Sequence, residues 1–388
     1  MIIQAKARGF ICLNAHPSGC KLSVERQAKY ALSHAKELPF KNALIIGAST
    51  GYGLASRIAL GIGANVPTLG VFLERAPQEG RTASAGWYNT AAFADLAQER
   101  NLYAKSVCGD AFSKATKESV AELIKNDFGK LDLLIYSVAA PKRTVESGET
   151  FSSVIKPVGK AFEGNTIDIK TETLRAASLL PASEEEIAST VKVMGGEDWE
   201  DWISFLKDKN LLSKDFTTVA YSYIGPEMTF PVYRDGTIGA AKKHLETTAE
   251  HMRSSGVEAR IAENKAVVTQ AGAAIPVVPL YMSALMRVMK DKGLHEGCIE
   301  QMCRLLFTQW GKFDEEGRMR VDDLELRADV QADVKKIWQK LTDENLHELT
   351  DIKGYKEEFM NGFGFDYPEI DYDKDVEYMI DIKDLIVV

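Results

Sequence analysis

The stretch "YSYIGPEMTFPVYRDGTIGAAK", residues 221–242, carries three tyrosines and a lysine. A phenol held beside an ammonium is the proton-donating pair of nucleotide-dependent reductases, ordinarily spaced Tyr-x3-Lys along a helix. No tyrosine of this chain has a lysine four residues later. Tyr233 has one nine residues later, Lys242. Two readings are open: an acid pair of unusual spacing, or aromatics packed in the core with satisfied hydroxyls. Tyr221 and Tyr223 share one face of an expected strand over 217–224. Tyr223, last of its row, falls at the carboxyl end, where ligands bind in parallel sheets. Lys242 flanks the apolar stripe Ile238, Ala241, Leu245, Ala249 and Met252 of the next helix.

A second set of residues suits a dinucleotide. "GASTGYG" (47–53) follows the apolar run "NALIIGAST" and opens a helical pattern over 53–63. In such a turn Gly47 permits the reversal and Gly51 lets the backbone approach a pyrophosphate. Gly53 brings the helix close to the sheet, and the helix N-terminus offers free N–H groups to the phosphates. No Gly-Lys-Ser/Thr is present, which excludes a P-loop. Glu74, at the end of the next strand (68–74), would accept both adenosine-ribose hydroxyls and repel a 2′-phosphate, favouring NADH over NADPH; Arg75 beside it softens that exclusion. Asp110 either accepts the adenine amino group or caps the helix expected from 113. Ser137–Ala140 are small enough for the nicotinamide ribose to lie against the backbone.

Elements that could position these residues follow from hydrophobic periodicity. Strands over 42–50, 68–74, 103–110 and 131–140 alternate with helices over 53–63, 87–100 and 113–129, the pattern of a doubly wound parallel α/β sheet. Residues 2–13 suggest a strand or hairpin, and 24–38 a helix ended by Pro39. Residues 141–182 read as an insertion with a small antiparallel ribbon, followed by helices at 184–194 and 198–208. A fifth strand (217–224), a helix (237–253) and a sixth strand at "AVVT" (266–269) come next. We divide one elaborated domain, 1–388, into a glycine-loop half (42–140), an insertion (141–210), a catalytic half (211–345) and an acidic tail (346–388).

The chain has 388 residues, 45% of them apolar, and a net charge of −9 with no Lys/Arg-rich run, so nucleic acid and anionic membranes are not expected partners. Five scattered cysteines without a CxxC pair fit a reducing cytoplasm, and Cys298 and Cys303 have no histidine at ligand spacing, so no metal is expected. The N-terminus lacks the features of a signal peptide. Residues 266–286 carry no charge, but Pro276 and Pro279 argue for a strand, a loop and a helix rather than a membrane span. His16, in "NAHPSG", reads as part of a tight turn or as a residue lining the cofactor or acyl site.

The chain resembles the NADH-dependent trans-2-enoyl-CoA reductases and the related single-chain enoyl-acyl-carrier-protein reductases. The matching segments include "HPSGC" (16–20), "IGASTGYGLASRI" (46–58), "SAGWYN" (84–89), "GDAFS" (109–113), "DLLIYSVAAP" (132–141) and "VMGGEDWEDW" (193–202). Others are "AYSYIGPE" (220–227), "YRDGTIGAAKKHLE" (233–246), "NKAVVTQAGAAIPVVPLY" (264–281), "HEGCIEQM" (295–302) and "GYKEEFMNGFGFD" (354–366). The family's acid pair is Tyr-x8-Lys, which Tyr233 and Lys242 satisfy. Its cofactor contacts fall on Gly47, Ala48, Ser49, Thr50, Gly51, Tyr52, Leu73, Glu74, Asp110, Ala111, Val138, Ala139, Lys242, Val267, Val268 and Thr269. The substrate tyrosine falls on Tyr223 and the proton donor on Tyr233. The resemblance implies a Rossmann-type reductase, often monomeric, that reduces the C2–C3 double bond of enoyl-CoA or enoyl-acyl-carrier-protein with NADH. On that mechanism Lys242 binds the nicotinamide ribose and lowers the tyrosine pKa, and residues 271–286 wall the acyl pocket. The chain departs from the family at 142–182 and at "EARIAENKAVV" (258–268), which replaces a more apolar strand. Rival readings are a carbonyl reductase of the wider short-chain group, which would need the absent Tyr-x3-Lys, and a non-catalytic NADH sensor, which would need no proton donor.

Overall fold

The computed structural model describes residues 1–8, 11–168, 171–273 and 275–388. Its central sheet has eight strands, all parallel. In chain order they are β1 (Ala43–Ile46), β2 (Thr68–Phe72), β3 (Ser106–Cys108), β4 (Leu131–Tyr136), β5 (Leu212–Ser222), β6 (Glu258–Glu263), β7 (Met319–Arg320) and β8 (Leu385–Val387). Their spatial order is β7-β6-β5-β4-β1-β2-β3-β8. β1 and β2 are buried throughout, because helices cover both faces of the sheet and continuous apolar runs satisfy both. The chain winds outward from β1 to β3, then crosses to β4 and winds the other way. That reversal opens a crevice at the carboxyl ends of β1 and β4.

One face is covered by α1 (Pro17–Ser33) and α2 (Gly51–Ile58), with α3 (Ala85–Glu99) beside them. There Ala55 and Ile58 pack on Ile45, Leu133, Val219 and Tyr221. The other face takes α4 (Lys114–Leu123) and, beyond α5 (Glu184–Met194), α6 (Glu197–Asp208) and α7 (Thr237–Ser254). Trp199, Trp202, Leu245, Ala249 and Met252 pack there on Leu44, Leu134, Ala220 and Ile261. The remaining helices are α8 (Gln270–Ala273), α9 (Val278–Asp291), α10 (Cys298–Arg304), α11 (Ala328–Lys340), α12 (Leu346–Leu349) and α13 (Ile352–Asn361). A third cluster joins α9, α11 and α13 to Tyr233 and Ile238.

Buried polar anchors tie these layers together. Arg57 of α2, fully buried, donates to Ala104 O, Lys105 O and Ser106 Oγ at 2.9, 2.6 and 2.9 Å and lies over the Phe93 ring. Lys117 of α4 and Tyr136 of β4 converge on Asp198 of α6 at 2.8 and 2.9 Å, so the insertion is fastened to the sheet.

Four expectations are corrected. The sixth strand is Glu258–Glu263, not 266–269: backbone pairing from Thr217↔Glu258 to Ser222↔Glu263 outweighs the apolar run of "AVVT", which follows as a loop. The first helix is Pro17–Ser33, with "HPSGC" forming its cap and first turn because proline suits the first helical position. The insertion holds two ribbons, Lys142–Thr144 with Thr150–Ser152 and Phe162–Asp168 with Thr173–Leu179. The acidic tail ends in β8, where Leu385, Ile386 and Val387 pair with Ser106, Val107 and Cys108. The expected strand or hairpin over 2–13 contains a ribbon of Ala7–Arg8 against Ile11–Cys12, and residues 9–10 between them lie outside the described residues.

Candidate active site

The glycine turn sits at the crevice. Gly47 has φ +86°, and a Cβ there would lie 2.0 Å from Ser137 O; at Gly53 it would lie 1.9 Å from Gly47 O. At Gly51 nothing stands within 4 Å. The turn is therefore closed toward the sheet and open outward. Thr50 is the N-cap of α2 but its side chain caps nothing, which leaves the first helical amides available to an anion.

β2 ends at Phe72, two residues before Glu74, so Glu74 leaves the ladder and turns back toward the glycine turn. It accepts a hydrogen bond from Ser49 Oγ at 2.7 Å. Leu73 beside it is exposed. Asp110 follows β3 and accepts from Phe112 N at 3.0 Å, while Ser113, not Asp110, caps α4 through Thr116 N. Ala111 O accepts from Trp202 Nε1. Val138 and Ala139 lie just past β4, beyond Ser137, whose N–H is held by Ile46 O. These segments line the carboxyl ends of β1–β4, as a dinucleotide lying across the crevice requires.

Across β5 the three tyrosines part. Tyr221 points to α2, with its hydroxyl 2.5 Å from Ser56 Oγ and its ring against Tyr52. Tyr52 in turn donates to Lys265 O at 2.5 Å. Tyr223, just past the strand, donates at 2.9 Å to Glu325 Oε1, which also takes the Tyr281 hydroxyl at 2.6 Å. Glu325 Oε2 accepts from Ala266 N at 2.7 Å. Tyr233 lies in the loop before α7; its carbonyl accepts from Gly236 N and Gly239 N, folding that loop over the helix start. Its ring meets Tyr223 edge-on, centroids 4.9 Å apart. The Tyr233 hydroxyl takes no hydrogen-bond partner among the described residues.

Lys242, on the first turns of α7, donates to Tyr221 O at 2.9 Å. Burial pulls its pKa down, and Glu263 opposes that shift. The expected lowering of the Tyr233 phenol by Lys242 is not found: burial first, and Glu263 second, push it up. Burial and then Glu325 push Tyr223 up. Val267 and Val268 lie in the loop after β6, and Thr269 Oγ1 accepts from Gly272 N to start α8.

Outside this cluster, His16 is the N-cap of α1: its Nδ1 accepts from Gly19 N, and its buried ring packs edge-on against Phe365 and Tyr372. It caps that helix, as the tight-turn reading expected. Cys298 and Cys303 are unpaired, and among the described residues no group of His, Cys, Asp and Glu side chains is arranged to hold a metal. Sequence reasoning missed Glu325 and Glu263; Tyr281 fell within the expected acyl wall 271–286, but its bond to Glu325 was not foreseen. Glu325 carries no local signal. Glu263 does carry one, because it is a charge at the end of a strand whose alternate residues, Ala259 and Ile261, are buried.

Three family models cover the chain. Residues 2–79 match the NAD(P)H binding domain of trans-2-enoyl-CoA reductase, 81–310 the trans-2-enoyl-CoA reductase catalytic region, and 313–376 the enoyl reductase FAD binding domain. A trans-2-enoyl-CoA reductase [NADH] of Ruminiclostridium cellulolyticum is 49% identical, the match covering 99% of this chain and 100% of that protein. An enoyl-[acyl-carrier-protein] reductase [NADH] of Flavobacterium johnsoniae is 50% identical over 99% and 100%. The crystal structure of a Treponema denticola trans-2-enoyl-CoA reductase in complex with NAD superposes with a TM-score of 0.95 at 46% identity, covering 98% of this chain and 100% of that one.

Residues 313–376 do not fit a flavin dinucleotide. Gly364 is closed by His16 O and Gly354 by Asp351 and Lys290, while Gly317, near the end of the Arg260 side chain, and Gly362, beside Phe359 O of its own turn, follow no strand that would carry a dinucleotide turn. The strand in this segment, β7, is two residues long and leads into no glycine turn. A pyrophosphate finds no cradle there, and no step below passes through a flavin.

Proposed function

The chain belongs to the trans-2-enoyl-CoA reductase family, and from that premise we propose that it reduces the C2–C3 double bond of trans-2-enoyl thioesters with NADH, with Tyr233 as the acid. NADH, when bound across the crevice, would supply hydride to C3. The open glycine turn and the free N–H groups of α2 would hold its pyrophosphate, Glu74 the adenosine ribose and Lys242 the nicotinamide ribose. Charge developing on the thioester oxygen calls for a donor aimed at it, which stabilises the transition state more than the ground state.

The observation that carries the assignment is the unequal fate of two adjacent phenols. Tyr223 spends its proton on Glu325, whereas the Tyr233 hydroxyl has no partner among the described residues. Tyr233 is therefore the group free to hydrogen-bond the enolate oxygen and then to pass its one proton to C2, the tyrosinate left behind being reprotonated from solvent, while Tyr223 shapes the thioester site beside it. Burial, and after it Glu263, push the Tyr233 phenol up and so hold it protonated. Val278, Tyr281, Met282 and Leu285 of α9 give the acyl chain an apolar wall.

Tyr233→Phe tests the reading. Calorimetric NADH affinity should hold, while crotonyl-CoA reduction falls by at least about a hundredfold, the scale of a positioned acid. Full activity in that variant would end the assignment. Assaying NADH oxidation over enoyl-CoA of increasing chain length and the matched carrier-protein thioesters identifies the physiological carrier. We infer a reducing cytoplasmic setting from five unpaired cysteines; no helix among the described residues is long and apolar enough to cross a membrane.

A further inference from the structure

Glu263 is fully buried, and neither carboxylate oxygen makes a well-formed hydrogen bond. It ends β6, the strand along which Ala259 and Ile261 pack on Leu245, Ala249 and Met252 of α7. α7 runs back antiparallel to β6, so the next inward position, 263, faces the first turns of α7, where Lys242 and Glu246 lie. Ser222 is its register partner on β5, close enough to steady the carboxylate without forming a regular hydrogen bond. From the other side it faces Arg318, Arg320 and Asp322, around β7. Its charge acts on both members of the acid pair, Tyr233 and Lys242.

A buried carboxylate with so little hydrogen bonding is costly, and the two preceding inward positions show that an alanine or isoleucine fits this row. We propose that Glu263 is a positioning residue of the reduction: its carboxylate keeps Lys242 an ammonium on the Tyr221 carbonyl and keeps Tyr233 a protonated, donating phenol. The inference rests on the functional reading above. Burial lifts the Glu263 carboxyl to about 7, so its charge changes within the working range of an intracellular enzyme. Arg318 and Ser222 favour the charged form, and Asp322 and Glu246 oppose it. With Glu263 ionised, Lys242 resists the loss of its proton that burial promotes; with Glu263 neutral, that support is gone.

The test is the pH profile of kcat for crotonyl-CoA in wild type, Glu263→Gln, Glu263→Val and Glu263→Asp, each checked by circular dichroism. Wild type should hold kcat through neutrality and fall on an alkaline limb. Gln and Val should move that limb about one pH unit lower and so cut kcat about tenfold on it, with NADH affinity little changed. Asp, which keeps the charge, should restore the wild-type limb. Ultraviolet titration of the phenol, as wild type minus Tyr233→Phe and again in the Glu263→Gln background, needs no turnover and should show Tyr233 ionising at lower pH without the carboxylate. A Gln or Val profile superimposable on wild type, or a phenol titration that does not move, overturns the proposal. Failure of wild type to oxidise NADH with any enoyl thioester overturns the functional reading instead, and the phenol titration still decides the electrostatic coupling.

Discussion

Three tyrosines close in sequence have different roles because of the partner each hydroxyl finds. Tyr221 meets Ser56 in the core, Tyr223 meets a buried carboxylate, and Tyr233 keeps its proton free. The Tyr-x8-Lys spacing, through the family resemblance, pointed to Tyr233 and Lys242 as the acid pair, but the hydrogen bond that distinguishes Tyr223 from Tyr233 depends on Glu325, a residue about a hundred positions away. Glu263 has a second consequence, for stability. Its carboxyl titrates near 7 in the fold, above the 4.5 usual for a glutamate, so the native state holds its proton longer than the unfolded chain does. That contribution to stability is fully present below about pH 4.5 and lost as pH rises through about 7, a change on the order of 3 kcal/mol. Glu263→Val removes the slope. Urea melts should show the variant gaining on wild type between about pH 5 and about pH 8, with no gain if the carboxyl titrates normally.

At the scale of elements, the strand–turn–helix around "GASTGYG" was fully legible, since its glycines are required by backbone approach on both sides of the turn. Gly53→Ala places a Cβ 1.9 Å from Gly47 O and must push α2 off β1. The expected outcome is a fluorescence-measured NADH Kd at least about tenfold higher with far-ultraviolet circular dichroism unchanged, the cost of misplacing the pyrophosphate amides by a fraction of an ångström. The sixth strand was misread because composition and pairing disagree there. "AVVT" is the more apolar run, yet "EARIAE" pairs with β5, its Glu258 end exposed and its Glu263 end buried beside the two-residue β7. The insertion has a role that no periodicity signals. Thr237, the first residue of α7, donates through its N–H to Lys156 O at 2.9 Å and through its hydroxyl to Val154 O at 2.5 Å. The insertion thereby sets where the helix bearing Lys242 begins.

Across the whole molecule, the C-terminal segment acts as a belt. Trp87 Nε1 donates to Ile380 O and the Tyr88 hydroxyl to Tyr378 O, both at 2.8 Å, before β8 pairs with β3. Val388 N then donates to Cys108 O at 3.0 Å. Further back, Phe365 and Tyr372 cover His16, and Gly364 packs directly on Gly19. Deleting residues 377–388 strips the outer partner from β3, a bare edge that invites pairing between molecules. Thermal unfolding should drop by roughly 5 °C or more, with aggregation visible in light scattering. An unchanged Tm would mean that the belt is ornamental.

Local structure is what the sequence determined alone: a doubly wound parallel sheet from alternating apolar periods and a strand–turn–helix from three glycines, while the tyrosine–lysine spacing left two readings open until the family resemblance was added. Each rests on neighbours within a few tens of residues, where chain geometry leaves few alternatives. Tertiary structure alone decided which phenol has a free proton, which carboxylate faces the acid pair and where the tail returns. Those outcomes depend on Glu325, Glu263 and β8 arriving from distant parts of the chain, and a buried charge acts through space, whatever its distance in sequence.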